Sequence, residues 1–288
     1  MNRVGIILAG GYGTRLRPVT NAISKHLIPI HDKPMIFYPL SILMLMKIKK
    51  IFIVVTDNDY KQYEKLLGNG SNYGISIKYI FQEKPLGIAD GLFKCKEFVK
   101  KNRICLILGD NIFYGSNLKL NFSNISNSKK NTIIGYRVSK PENYGVINFN
   151  KKGKLTSIVE KPKNPKSNYV VPGIYFYENN VFDYLKKIKP SKRNELEITD
   201  LNNLLIKNKK LNCKIFGRGY AWLDAGTFDD LLETSRMIST IESRQNLKIG
   251  CLEEIALNNK WINRNQILKN INNLKDTSYG KYLQELIR

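Results

Sequence analysis

A chain of 288 residues with 42% hydrophobic content can bury one large α/β core, with or without a C-terminal appendage. No apolar run reaches the roughly 18 residues of a membrane span, and the first residues enter a strand without a signal-peptide pattern, so a soluble cytoplasmic protein with no membrane partner is expected. The formal charge of +23 is spread along the chain beside many Asn and Ile and never interleaves with aromatics as a base-stacking platform does; nucleic acid is not expected as a partner, and part of the field would steer a polyanionic small substrate.

Residues 4–8 read as a strand that runs directly into Leu8-Ala9-Gly10-Gly11-Tyr12-Gly13-Thr14-Arg15-Leu16-Arg17-Pro18. Three glycines within four positions let the backbone turn tightly, and successive N–H groups in such a turn form an anion-binding concavity. Thr14 adds a hydroxyl and Arg15 a fork of donors matched to phosphate oxygens. A glycine turn alone reads equally well as structural, but two guanidiniums beside it, Arg15 and Arg17, favour a phosphate cradle; neither G-x-G-x-x-G nor Gly-Lys-Ser/Thr is present. Lys25, in Ser24-Lys25-His26, either neutralises phosphate near this cradle or is one more surface lysine.

Strands are expected at 51–56, 75–81 and 104–108, with a buried helix at 36–48 and amphipathic ones at 60–67 and 89–99. This alternation marks βαβ units and a mainly parallel sheet whose ligands lie beyond the carboxyl ends of the strands. After the 75–81 strand, Gln82 offers an amide that can read a nucleobase edge and Gly87 leaves room for a ribose; by themselves they would make a turn. Leu108-Gly109-Asp110-Asn111 closes a buried strand with a carboxylate, and Trp222-Leu223-Asp224 repeats the pattern. Two strand-end aspartates can together hold one Mg²⁺, though either alone would serve as a turn or helix cap.

Residues 123–131 are polar and read as an exposed connection. The second half is richer in strands, at 132–138, 145–149, 155–160, 174–177, 211–216 and 220–223, with helices at 181–187, 197–207 and 228–245. Glu160-Lys161-Pro162 ends one strand with an acceptor for sugar hydroxyls and a donor for phosphate, or with a surface ion pair. The tail from Glu253 reads as helical, with Trp261 as its docking anchor. Cys95, Cys105, Cys213 and Cys251 form no C-x-x-C pair and read as small buried hydrophobes, and with only His26 and His31 present, histidine chemistry has little material.

Assembled, these blocks resemble the glucose-1-phosphate thymidylyltransferases over nearly the whole chain. The most specific pieces are residues 8–16, Ser24-Lys25, Lys33-Pro34-Met35-Ile36 with Tyr38-Pro39-Leu40, Leu108-Gly109-Asp110-Asn111, Glu160-Lys161-Pro162, Glu195-Leu196-Glu197-Ile198-Thr199-Asp200 and Gly217-Arg218-Gly219-Tyr220-Ala221-Trp222-Leu223-Asp224. The resemblance implies an α/β nucleotide-diphospho-sugar transferase (Rossmann-like) fold with a mixed, mainly parallel central sheet, in which 1–245 form the nucleotidyltransferase domain and 246–288 a helical C-terminal extension. The implied reaction joins dTTP to glucose 1-phosphate with release of pyrophosphate, as the first step of dTDP-rhamnose and related deoxysugar synthesis.

Carried over by position, Leu8, Ala9, Gly10, Gly11, Gly13, Thr14, Arg15, Lys25, Gln82, Gly87 and Asp110 bind the nucleotide. Asn111, Tyr144, Gly145, Glu160, Lys161 and Val171 bind the sugar phosphate. Arg15, Lys25 and Lys161 are catalytic, and Asp110 and Asp224 hold Mg²⁺. The resemblance also implies a homotetramer, with feedback by dTDP-rhamnose at a site partly formed by the C-terminal segment. Three positions depart from the pattern: Ile88-Ala89-Asp90-Gly91 replaces the usual Leu-Ala-Gln-Ala, Leu252 stands where a proline is common, and Asn258 stands near a position where some relatives carry arginine. A thymine methyl is worth only about 0.8 kcal/mol by burial, so residue types leave a uridylyl or cytidylyl enzyme as the alternative, beside a noncatalytic nucleotide- or nucleic-acid-binding relative.

Overall fold

The computed structural model describes residues 2–272 and 274–288. Its first half runs β1 (Arg3–Leu8), β2 (Pro29–Ile30), β3 (Lys33–Pro34), α1 (Phe37–Leu45), β4 (Lys50–Val55), α2 (Asp57–Leu67), β5 (Ser76–Phe81), α3 (Ile88–Lys94), α4 (Lys96–Val99) and β6 (Arg103–Leu108). The second half runs β7 (Asn111–Gly115), α5 (Leu118–Asn127), β8 (Asn131–Arg137), β9 (Gly145–Phe149), β10 (Leu155–Glu160), β11 (Tyr169–Val170), β12 (Ile174–Tyr177), α6 (Val181–Leu185), α7 (Ile198–Lys207), β13 (Leu211–Phe216) and β14 (Tyr220–Asp224). Helices α8 (Phe228–Gln245), α9 (Leu252–Asn258), α10 (Arg264–Ile271) and α11 (Ser278–Leu286) complete the chain.

Strand β1 is apolar from Val4 onward because both faces are covered: Val4 and Ile6 enter one apolar cluster and Ile7 another. It pairs in parallel with β4 and β6, and β4 with β5. Beyond β6 the sheet turns antiparallel through β12, β8, β11, β9 and β10, while β13 adds in parallel to β8. Strands β11 and β12 follow one another along the edge of β8 opposite β13: β12 meets Thr132 and Ile133, and β11 meets Tyr136 and Arg137. The sheet therefore divides at Val171-Pro172-Gly173. A second, two-stranded ribbon of β7 and β14 pairs Asn111 with Asp224.

Helix α1 has no polar face, because the sheet covers one side and the tail the other; Leu40, Leu43, Leu252, Ala256, Ile267 and Leu283 share one cluster. Trp261 does anchor the tail. A Cβ at Gly74 would lie 2.6 Å from its carbonyl oxygen, and the Lys49 ammonium sits 5.0 Å from its ring centre. The β2–β3 turn is tied to α8 by an ion cluster in which Lys33 and Lys248 reach Glu242 over 3.0 and 2.9 Å.

Several expected bounds move. The exposed connection expected at 123–131 shrinks to 128–130: α5 spans Leu118–Asn127 and buries Leu118, Phe122 and Ile125, about one turn apart, with Phe122 against Phe113, Phe176 and Phe216. Asn and Ser between those three residues hide the helical period in the sequence. The long 89–99 helix is two, α3 and α4, meeting at Cys95, and α2 starts at Asp57, its first turn closed by the N–H groups of Asp59 and Tyr60 donating to the Thr56 carbonyl. Cys95, Cys105 and Cys251 are buried, and Cys213 is half-buried.

Candidate active site

The end of β6, the dividing point of the sheet and the end of β14 surround a cleft of about 1100 Å³. It brings together Arg15, Asp110, Asn111, Tyr144, Gly145, Glu160, Lys161, Val171 and Asp224, which lie far apart in sequence. Close packing fixes this junction. A Cβ at Gly173 would fall 2.6 Å from the Leu108 side chain, and the Asn111 carboxamide oxygen accepts from Gly173 N–H at 3.0 Å and from the Trp222 indole at 2.6 Å. The Val171 N–H donates to the Gly145 carbonyl at 2.9 Å, holding β9 beside the cleft.

Two aspartates stand at adjoining strand ends in different electrostatic states. Asp110 accepts from the Lys25 ammonium and, at 2.8 Å, from the Asn111 amide. Burial, the largest single effect, would raise its carboxyl, but Lys25, His26 and the Asn111 amide together hold it well below the usual carboxylate range. Asp224 accepts from the Tyr144 hydroxyl at 2.8 Å and is pushed up to about 6 by burial, with Asp110 and Asp230 adding repulsion. His26, beside Lys25, is buried and bonds Tyr63 at 3.1 Å; burial first, then Lys25, lowers it to about 3. A neutral imidazole wedged where a Cβ on Gly109 would come within 2.6 Å is a packing element under the site.

The glycine loop borders the cleft. Gly13 takes φ +59, a left-handed turn secured by the Thr20 hydroxyl donating to its carbonyl at 2.8 Å. It throws Arg15 across the loop before α8, where a Cβ at Gly226 would meet the guanidinium at 2.9 Å. Gly11 and Thr14 are exposed, while Leu8 and Ala9 close β1. Leu8, Ala9, Gly10, Gly11, Gly13, Thr14, Lys25, Gln82 and Gly87 lie outside the lining of the cleft. Lys25 reaches it through Asp110; Gln82 abuts Gly10; position 87, at φ +105, accepts only glycine, because a Cβ there would strike the Leu196 carbonyl at 2.5 Å. Ile88, next in sequence, lines the cleft.

On the β9–β10 wall of the cleft, Glu160 accepts from the Thr199 hydroxyl at 2.6 Å, and Gly145 leaves its carboxylate room. Lys161 follows at φ +43, a left-handed backbone that costs a non-glycine residue on the order of 1–3 kcal/mol and is held by its N–H on the Tyr144 carbonyl at 3.0 Å. Two cleft residues are given no role by the sequence reading. Thr199 and Arg193 both line the cleft, and Arg193 donates three hydrogen bonds to Glu197, at 2.9, 3.0 and 3.1 Å, and lies 3.8 Å from Glu160. Thr199 lies within the motif Glu195-Leu196-Glu197-Ile198-Thr199-Asp200; Arg193 is hidden among the neighbouring lysines.

A glycine loop, cations and carboxylates at the carboxyl ends of a mixed sheet make an arrangement suited to group transfer between phosphates. The family model described as "Nucleotidyl transferase" matches residues 4–240. The chain belongs to this nucleotidyl transferase family. It is 44% identical to a glucose-1-phosphate thymidylyltransferase of Neisseria gonorrhoeae over 284 residues, 98% of this chain and 99% of that one. A Xanthomonas campestris pv. campestris protein of the same name is 45% identical over 287 residues, 99% and 97% of the two chains. Among solved structures, a Bacillus anthracis protein described as a glucose-1-phosphate thymidylyltransferase, with bound sucrose, superposes with a TM-score of 0.76 at 39% identity, over 82% of this chain and 94% of that one. A UDP-glucose pyrophosphorylase with UDP-glucose gives 0.74 over 84% and 100%, at 24% identity a likeness of fold alone.

Proposed function

We propose that the protein transfers a thymidylyl group from dTTP to glucose 1-phosphate, giving dTDP-glucose and pyrophosphate. The observation that carries this reading is the single cleft joining Arg15, Asp110, Glu160, Lys161 and Asp224, in a chain 42–45% identical to proteins of that name. A sugar phosphate is already an anionic nucleophile at neutral pH, so no general base is needed and the buried neutral His26 is no loss. One phosphate oxygen of glucose 1-phosphate attacks the α-phosphorus of dTTP, the bond from that phosphorus to the bridging oxygen breaks, and pyrophosphate leaves in line.

The task is to bring two anions together. Lys161 binds the sugar phosphate, Glu160 and the Tyr144–Gly145 segment with Val171 take the glucose, and Asn111 holds the junction between the two halves. Leu8, Ala9, the glycines and Thr14 hold the triphosphate, Gln82 and Gly87 the thymidine, and Arg15 and Lys25 the departing charge. The donor set suits magnesium: Asp110, just before β7, and Asp224, at the end of its partner strand β14, are hard oxygen donors, and a bound cation would offset the raised Asp224 carboxyl, which burial first and then Asp110 and Asp230 push up. When bound, the ion supplies further neutralisation of the triphosphate. The same reading includes a cytoplasmic homotetramer with dTDP-rhamnose as feedback ligand, carried by the resemblance alone; no helix among the described residues is long and apolar enough to cross a membrane.

Pyrophosphate release with glucose 1-phosphate, magnesium and dTTP, UTP, CTP, ATP or GTP in turn tests the assignment. Clear preference for dTTP is expected. Preference for UTP or CTP moves the substrate while keeping the mechanism, and silence with all five removes it. Thr199→Val is expected to raise KM for glucose 1-phosphate roughly tenfold, the value of one hydrogen bond to a charged group, and to leave KM for dTTP in place.

A further inference from the structure

Gln82 and Asp90 form a pair that the transfer chemistry itself does not require. Gln82 follows β5 and is 6% exposed; Asp90 stands in the first turn of α3 and is 8% exposed. The Gln82 amide nitrogen donates to Asp90 Oδ2 at 2.7 Å. Carboxylate oxygens accept, so Asp90 selects one of the two ways a carboxamide can face: nitrogen toward Asp90, oxygen away from it. That oxygen lies 3.2 Å from where a Cβ on Gly10 would stand and 3.7 Å from one on Gly91, in space left by two missing side chains. Among the described residues nothing donates to it, yet it is not one of the sealed, unpartnered polar atoms of the interior. It is an open acceptor beside the glycine loop.

We propose that Asp90 is a specificity-determining positioning residue: by holding the Gln82 nitrogen it presents the Gln82 oxygen to the nucleobase and favours pyrimidines with a ring N–H at that edge. Thymine and uracil carry a donor at N3; cytosine carries an acceptor there, which would face the amide oxygen with no proton between them. The proposal deepens the dTTP reading given above and rests on it. It also accounts for a carboxylate close to a triphosphate site. Asp90 is turned into the fold, against an amide N–H and the first turn of α3, where negative charge is favoured.

The test compares dTTP with 5-methyl-dCTP, which share the deoxyribose and the methyl group and differ only at the edge in question. Asp90→Asn keeps the shape of the side chain but offers a donor as well as an acceptor, so Gln82 can face either way; Asp90→Ala removes the restraint and serves if the first variant does not fold. In each, the ratio of kcat/KM for dTTP over 5-methyl-dCTP is expected to fall roughly tenfold from that of the unsubstituted protein, the value of one mispaired hydrogen bond. An equal fall with both triphosphates, leaving the ratio in place, assigns Asp90 a merely structural role and overturns the proposal. An unsubstituted protein that prefers 5-methyl-dCTP to dTTP overturns the dTTP reading itself, a result visible before any variant is made.

Discussion

Arg15→Ala and Lys25→Ala are each expected to lower kcat for pyrophosphate release by about a hundredfold or more, the usual consequence of removing one donor aimed at developing charge. The two variants should differ in stability. Arg15 is exposed and rests on Gly226, so its loss should leave the melting temperature in place. Lys25 neutralises Asp110 in a site where both side chains are about one-sixth exposed or less. Its removal leaves a carboxylate facing the Asn111 amide alone, and such an uncompensated buried charge costs on the order of 3–5 kcal/mol. Lys25→Ala should therefore lose stability as well as turnover. Turnover near the unsubstituted rate in both variants would sink the charge-neutralisation mechanism.

Acid should weaken the fold through His26. Its imidazole falls from an ordinary 6.5 to about 3 on folding, so between those values the unfolded chain binds a proton that the folded one does not. Stability from this group is complete above pH 6.5 and is lost as pH falls toward 3, at about 1.4 kcal/mol per pH unit. Asp224 titrates with the opposite sign: raised from 3.8 to about 6, it takes up its proton earlier in the folded state and returns stability over that window. The difference between proteins isolates the histidine. His26→Asn keeps a polar partner for Tyr63 and is expected to flatten the denaturation profile between pH 6.5 and 4.5 by about 2–3 kcal/mol relative to the unsubstituted chain. Parallel profiles for the two proteins would refute the assignment.

The parallel half of the fold is legible because its strands are buried on both faces, which leaves continuous apolar runs such as Val4-Gly5-Ile6-Ile7-Leu8 followed by turn residues. The Asn- and Ser-rich α5 escapes because its apolar period rests on three residues, and its stability comes from aromatic packing by elements distant in sequence. Strand β7 escapes because it follows β6 after two residues and is specified by its partner β14. In the site, the glycine loop and the strand-end aspartates announce themselves by residue type and position. The partners that tune them do not: Lys25 on Asp110, Tyr144 on Asp224, Thr199 on Glu160 and Asp90 on Gln82 are separated by 85, 80, 39 and 8 positions. Only folding shows which carboxylate meets which cation.

The parting of the central sheet at Val171-Pro172-Gly173 has an evolutionary corollary. Among the described residues, strands β9, β10 and β11 pair with the remaining sheet only along β8, and Asn203 of α7 ties down β10 through Ile158, so changes at their tips do not touch β1, β4 or β6. Under the proposed function such changes fall on the sugar end of the cleft and leave the nucleotide end in place, which makes the two substrates separately mutable.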